Sequence, residues 1–534
     1  MPSSTPSSAL LPSKGSRRRA LTVLVALAGL TAACTDDKSK AVPATASTPA
    51  ATGPVQGGVL RFSASINPTG LDPHRGTSGS DHQFLYPVFD TLIEMDPSTG
   101  EARPSLAESW TLTPQALTLK LRKGIRFHDD TPFDAKAVAA NFDRMRNSKV
   151  SNVKADVAAI GGVEIVDDST VKLVLKRPDS GLPLKLADRA GMMVSPAAVE
   201  KFGDDFLRNP VGTGAFRFVE WKSNDVVAYE RNKSYWQSGL PYLDGIRMQI
   251  HENRDTGLTA FEAGEIDIIQ NFPARAIDRL KSLKGVTVLV NSSLRAPHVW
   301  MNTAIAPFDN PLVRRALNHA IDRKAINDVI QLGNGEPSWT LVPSAHWAYP
   351  KAIVPTYDYN PDKARQLLAE AGHAKGFSAV MGTAAADEDV RRAELIQQYL
   401  KAVGVNLTIQ TGPLAEISSL YFVKKQFPML SSAWTGRPDP GLSYELMFRK
   451  ESYFNVGKVD YPGLDAAMSK MAAAASQQEQ AAAISDVAAI VAKEAPYIPV
   501  FFQIDDAAYH ANVRGYQPNL LGKPKFLGVN LARD

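Results

Sequence analysis

Two hydrophobic periods alternate along this chain from about residue 57 onward. GVLRFSAS (58–65) reads as a first strand, and LTLKL (117–121) and VKLVL (171–175) alternate strictly, as half-buried strands do. Between the last two, Thr131 is placed to cap a helix with Pro132 at N1 and Asp134 at N3. Ala137, Val138, Phe142 and Met145 then form one apolar stripe at helical spacing. A helix is also predicted over 79–91, carrying Phe84, Leu85, Val88 and Phe89. The same start signal recurs as Asn310 followed by Pro311, with Val313, Leu317, Ala320 and Ile321 facing a core. It recurs again as Asn360 followed by Pro361, with Asp362 in the first turn, Leu367 and Leu368 apolar, and Gly372 as the stop. Residues 389–403 predict a helix and VNLTI (405–409) a strand; residues 464–494 are helical in pattern with a break near Ser476. Helices mixed with short strands place the chain in the α/β class.

The first 56 residues differ in kind. Arg17, Arg18 and Arg19 precede an apolar run from Ala20 to Ala33. Its fourteen residues would span about 21 Å as a helix, short of the roughly 30 Å hydrocarbon core, so residues 1–33 read as a signal peptide. Cys34, the only cysteine, follows directly. Ala32 and Ala33 before it resemble a bacterial lipobox, with Thr31 where Leu is usual, which makes Cys34 a candidate for lipidation. The three arginines also resemble, loosely, a twin-arginine export signal that lacks its Phe. Residues 34–56, rich in Thr, Ala, Pro, Ser and Gly, read as a flexible tether. The expected location is extracytoplasmic, with the membrane reached through a lipid anchor.

Charge narrows the partners. The chain has 59 basic and 55 acidic residues. Four of the basic ones precede Cys34 and no acid does, which leaves 55 of each sign from Cys34 onward. A neutral body lacks the positive field of a nucleic-acid binder. One cysteine allows no internal disulfide and no cysteine-based metal site. The nine histidines show no i,i+4 pair, and His251-Glu252 is not followed by the rest of a zinc motif. GTSGS (76–80) is no nucleophile elbow, and VGTGAF (211–216) has two glycines where a dinucleotide loop needs three. No cofactor and no metal are expected, and His128-Asp129-Asp130 reads as a turn.

One segment stands apart, SSAWTGRPDPGLSYELMF at 431–448. Trp434 offers a flat stacking face and Arg437 a planar fork for a carboxylate or carbonyl, on a loop stiffened by Pro438 and Pro440. The alternative is a rigid surface turn in which Arg437 pairs with Asp439.

Taken in order, several segments resemble one family. They are PSLAESW (104–110), LKLRKGIRFHDDTPFDAKAVAANFDRM (119–145), VGTGAFRF (211–218) and FEAGEIDI (261–268), then NTAIAPFDNPLVRRALNHAIDRKAI (302–326), YDYNPDKARQLLAEAG (357–372) and the Trp434 loop. The chain resembles the bacterial ABC-transporter solute-binding proteins of family 5, the dipeptide, oligopeptide and nickel-binding group. Asp130 replaces a glycine usual in that family. The resemblance implies a periplasmic-binding-protein-like fold of two lobes, class II and cluster C in type, with an extra small domain. Lobe 1 would comprise 57–89, 212–299 and 500–534, the accessory domain 90–211 and lobe 2 300–499, with hinge crossings near 299–302 and 499–502. Ligand would be enclosed between the lobes and passed, by a monomer, to an ABC permease driven by its ATPase subunits. The protein itself would catalyse nothing.

In peptide-binding relatives the loop resembles WTGD or WCAD, and its aspartate pairs the peptide amine. Here Arg437 stands at that place and would repel an ammonium. The resemblance thus implies a ligand that is peptide-like, opine-like, an amide or a hydrazide, with a carboxylate or carbonyl at Arg437 and Trp434 as an apolar wall. Asp439 could still serve as an anion. Further candidates are Asn67, Thr69 and Leu71 after the first strand, Trp300 and Asn302 near a hinge, and Tyr444 after the loop. A sensing or chaperone-like module would use the same clamp. A secreted amide or peptide hydrolase would instead need Ser431 or Ser432 near a histidine that an acid orients.

Overall fold

The computed structural model describes residues 53–76 and 81–532, so Cys34, the signal segment and most of the tether lie outside the described residues. Val59–Ala64 pairs in parallel with both Gly245–Ile250 and Ile268–Gln270, which puts the first strand inside a seven-stranded sheet. From one edge that sheet runs Val286–Ser292, Ile504–His510, Ile268–Gln270, Val59–Ala64, Gly245–Ile250, Val226–Arg231 and Phe216–Lys222. The strands with one buried face and one wet face are those whose sequences alternate. Ala116–Leu121 and Thr170–Leu175 pair antiparallel in a separate four-stranded sheet with Ala107–Thr113 and Ile160–Asp167. Helix Ala135–Asn147 packs on it through Ala137, Val138, Phe142 and Met145, all buried.

A third sheet forms the second lobe, in the order Val405–Gly412, Phe377–Ala384, Met429–Thr435, Arg295–Met301 and Tyr497–Pro499. Helices Pro311–His319 and Asp387–Lys401 cover it around a core that includes Val313, Leu317, Ile396 and Leu400. The α/β class and the two-lobed layout with an extra small sheet are thus as expected. Among the described residues the chain passes between the seven-stranded and five-stranded sheets twice, after Ser292 and between Pro499 and Ile504. The first change precedes the 299–302 expected, because Arg295–Met301 is already paired along its whole length with Met429–Thr435.

Local grammar explains most boundaries. Asn310 accepts from the Leu312 amide at 2.9 Å, Asn360 from Lys363 at 3.0 Å and Ser476 from Glu479 at 3.2 Å, each as the N-cap of its helix. Two boundaries differ from expectation. Thr131 does not cap: its hydroxyl donates to Asp129, and Asp134 takes the cap by accepting from Ala137 at 2.9 Å. The helix expected over 79–91 is reduced to His82–Leu85 among the described residues: Tyr86 keeps helical backbone, but Pro87 has no amide to continue the ladder. VGTGAF lies tight under that segment. A Cβ on Gly212 would sit 2.2 Å from the Val88 carbonyl, so only glycine allows the approach.

Candidate functional site

Four pieces of chain meet between the lobes. The loop at 434–439 leaves strand Met429–Thr435, and the turn at 293–294 carries the chain from one lobe to the other. A strap at 519–523 returns from the C-terminal region, and 179–189 comes from a segment whose apolar residues pack with the four-stranded sheet. Leu294 ties the first three together: its amide donates to the Leu520 carbonyl at 2.9 Å and its carbonyl accepts from the Gly436 amide at 3.0 Å.

Trp434 is buried, and its indole Nε1 donates to Ser443 Oγ at 3.1 Å. Arg437 is half-buried, with its guanidinium carbon 5.3 Å from the centre of the Trp434 ring, within cation–π range. Its Nη1 donates to the Thr435 carbonyl at 3.2 Å. Arg437 does not pair with Asp439. Both Asp439 oxygens are used at the start of helix Pro440–Phe448, accepting from the Gly441 amide at 3.2 Å and the Leu442 amide at 2.9 Å, and Gln480 donates to one of them at 3.2 Å. Burial pushes the Asp439 carboxyl up to about 6, with Lys185 opposing.

Around Arg437 lies a group of charges that the sequence reading did not single out. Lys523 is 5% exposed and its Nζ has no hydrogen-bond partner. Burial and the cations of Arg437 and Arg189 lower its pKa to about 8, while Asp188 and Asp81 hold it up. Asp188 resists burial and stays well below the usual carboxylate range, because His82, which hydrogen-bonds it, Lys523 and Arg437 all stabilise its charge. Asp156 is raised by burial, with Arg437 opposing. Asn519 fixes the strap that presents Lys523, accepting from the Leu521 and Lys523 amides at 3.0 and 3.2 Å and donating to the Lys523 carbonyl at 2.6 Å. No local motif announces Lys523; only the folded strap brings it to Arg437, 86 residues away in sequence.

Contacts across the lobes close one side of this region. Ser180 donates from its amide to the Ala472 carbonyl at 2.8 Å and from its hydroxyl to the Met471 carbonyl at 2.8 Å. Lys185, buried, binds both Asp179 oxygens at 2.9 Å and lies 3.8 Å from Glu445. Gly181 packs flat on the Asp439 carboxylate, where a Cβ would approach to 2.3 Å.

The other sequence candidates are distributed. Thr69 donates to Asp81 through both its amide (2.9 Å) and its hydroxyl (2.5 Å), which puts it beside the charged group. Asn67 accepts from Trp221 and from the Asn224 amide, and Leu71 is fully buried in the lobe 1 core. Trp300 lies under the loop, edge-on to Trp434 at 6.3 Å and stacked on Phe454 at 5.8 Å. Asn302 is spent in a turn on the Ala304 amide, and Tyr444 is packed in the lobe 2 core.

Hydrolytic chemistry finds little footing. Ser431 Oγ has no partner, and the fully buried His298 across the sheet bonds the Ala296 carbonyl through Nδ1 rather than an acid. Ser63 does lie 2.9 Å from His251 Nδ1, but Ser63 is buried, 2.8 Å from where a Cβ on Gly257 would stand. A hollow of about 320 Å³ beside His251 and another of about 330 Å³ near Thr131 share no residue with the group around Arg437. Among the described residues no metal-ligating cluster is gathered, and no helix is long and apolar enough to cross a membrane.

Known proteins place this geometry. The family model for bacterial extracellular solute-binding proteins, family 5 Middle, matches residues 101–455. The chain is 30% identical over 468 residues to the glutathione-binding protein GsiB of Salmonella paratyphi A, covering 84% of this chain and 90% of that protein. It is similar to the solved structure of the periplasmic binding protein DppA from Helicobacter pylori in complex with peptide STSA. The TM-score is 0.82 at 25% identity, over 90% of this chain and 99% of that one. It shares its fold with AgaA from A.tumefacien R10 in complex with agropinic acid, with a TM-score of 0.80 at 22% identity over 89% of this chain and 99% of that one. The chain belongs to the family 5 extracellular solute-binding proteins, receptors that take a small solute outside the cytoplasm and deliver it to an ABC importer.

Proposed function

We propose that this receptor captures a small peptide-like or opine-like solute by a carboxylate, which Arg437 and Lys523 bind together while Trp434 walls the apolar part. The observation that carries this reading is Lys523 Nζ: a buried ammonium with no hydrogen-bond partner, beside a second cation whose guanidinium makes one bond to the protein among the described residues. A buried charge is costly unless paired, and an incoming carboxylate would pair both cations. Arginine adds a planar two-pronged geometry and lysine a point charge. The relatives' names agree in chemistry, since glutathione, a peptide and agropinic acid all carry carboxylates. The closing contacts of Ser180 and Lys185 would then hold the lobes together over the solute. Lipidation at Cys34 would keep the receptor near its permease.

Calorimetry tests the carboxylate. Glutathione and its carboxyl-amidated form, titrated into the wild type and Arg437→Ala, should show the acid bound at least about 30-fold more tightly by the wild type, with that preference lost in the variant. Equal binding of acid and amide by the wild type would refute the reading.

A further inference from the structure

The strand Ile504–His510 holds a second buried charge that the carboxylate reading leaves unused. Asp505 is 3% exposed, and its Oδ2 has no hydrogen-bond partner. Burial raises its pKa to about 7, and no cation offsets that burial. Directly across the ladder stands Asn291, whose Nδ2 is also buried and unpartnered. Residues opposed in an antiparallel pair point to the same face, with Cβ atoms about 4.5–5.5 Å apart. A buried acceptor and a buried donor therefore stand side by side without bonding each other. Both strands terminate here at the lobe junction: Ser292 closes its strand, and Asp505 is the second residue of its own.

This pair lies against the strap that carries Lys523. A Cβ on Gly522 would lie 3.0 Å from Asp505 Oδ1, and the next residue on that strap is Lys523. Leu294, three residues after Asn291, is bonded to both the strap and the Arg437 loop.

We propose that Asp505 receives a primary ammonium group of the solute and Asn291 donates to the oxygen next to it. The ligand would then be a zwitterion, its amine at the hinge and its carboxylate at Arg437 and Lys523. This rests on the carboxylate reading above. It moves the amine anchor from the recognition loop, where an arginine now stands, to the hinge strand. A protein that merely tolerated a protonated Asp505 would show no preference for an amine.

Four probes separate the outcomes in calorimetry: glutathione, Ser-Thr-Ser-Ala and the N-acetyl form of each. The wild type should bind at least one free amine about 30-fold or more tightly than its acetylated form. Asp505→Asn, which keeps the shape and removes the buried charge, should abolish that preference and leave the acetylated form within about threefold. Asn291→Ala is the second variant, should the first not fold, and should weaken the free amine about fivefold more than its acetylated form. A retained preference in Asp505→Asn, or none in the wild type, overturns the amine site and leaves the carboxylate reading standing. Binding of none of the four probes by the wild type overturns both.

Discussion

Lys523 is set between opposing influences. Burial works against its ammonium first, Asp188 supports it, and Arg437 and Arg189 oppose it, so its pKa falls from 10.5 to about 8. A bound carboxylate would raise that value again. The sign follows: affinity for an acidic solute is full below about pH 8 and is lost as pH rises from there toward the higher pKa of the complex. Calorimetry between pH 7 and 9.5 should show glutathione affinity falling about tenfold or more, and Lys523→Met should bind weakly with a much flatter profile. In the unliganded protein the same depression destabilises the fold at neutral pH and relaxes as pH rises toward 10.5. The Met variant should therefore melt higher at pH 7, by on the order of 2 kcal/mol. A pH-independent wild type, or a Met variant with unaltered affinity, would remove Lys523 from the site. Nothing in the sequence around GKPK marks Lys523, because its meaning comes from a strap that returns to a loop far behind it in the chain.

Among the elements, the segment 179–185 works as a clasp on the start of helix Pro440–Phe448. Gly181 lies on the carboxylate that caps this helix, and a methyl group there would approach to 2.3 Å. Gly181 has φ −80, so alanine strains no backbone and acts through volume alone. Gly181→Ala should lower affinity at least about tenfold by opposing closure, with the melting temperature of the unliganded protein changed by less than about 3 °C. Unchanged affinity would mean that these contacts do not belong to the bound state. The helix starts also show what a sequence discloses. Asn310-Pro311 and Asn360-Pro361 announce N-caps, and Asp439-Pro440 is the same signal. Reading Asp439 as a spare anion overlooked that rule, whereas the glycine-proline frame drew attention to Arg437. Thr131-Pro132 carried the signal too, yet Asp129 engages the threonine and Asp134 caps instead. Local competition for a hydroxyl decided that case, and periodicity has no access to it. Asp505 and Asn291 were beyond the same reading, since a strand register is needed to set them side by side.

For the whole molecule, two sheets joined by two crossings of the chain make a clamp, and on the proposed function the charged groups would sit where it shuts. Lys523 lies on the strap that follows strand Ile504–His510, Asp188 and Lys185 lie on the segment whose apolar residues pack with the four-stranded sheet, and Arg437 and Trp434 lie at the end of strand Met429–Thr435. A solute that contacts these groups together favours the closed form by its extra affinity for it. The most direct measurement is native mass spectrometry of the protein purified without denaturation, comparing the wild type with Arg437→Ala/Lys523→Met. The account predicts a small acidic molecule bound to the wild type, and its loss from a double variant that keeps its fold by circular dichroism. A bound molecule without an acidic group, or equal retention by both proteins, would contradict it.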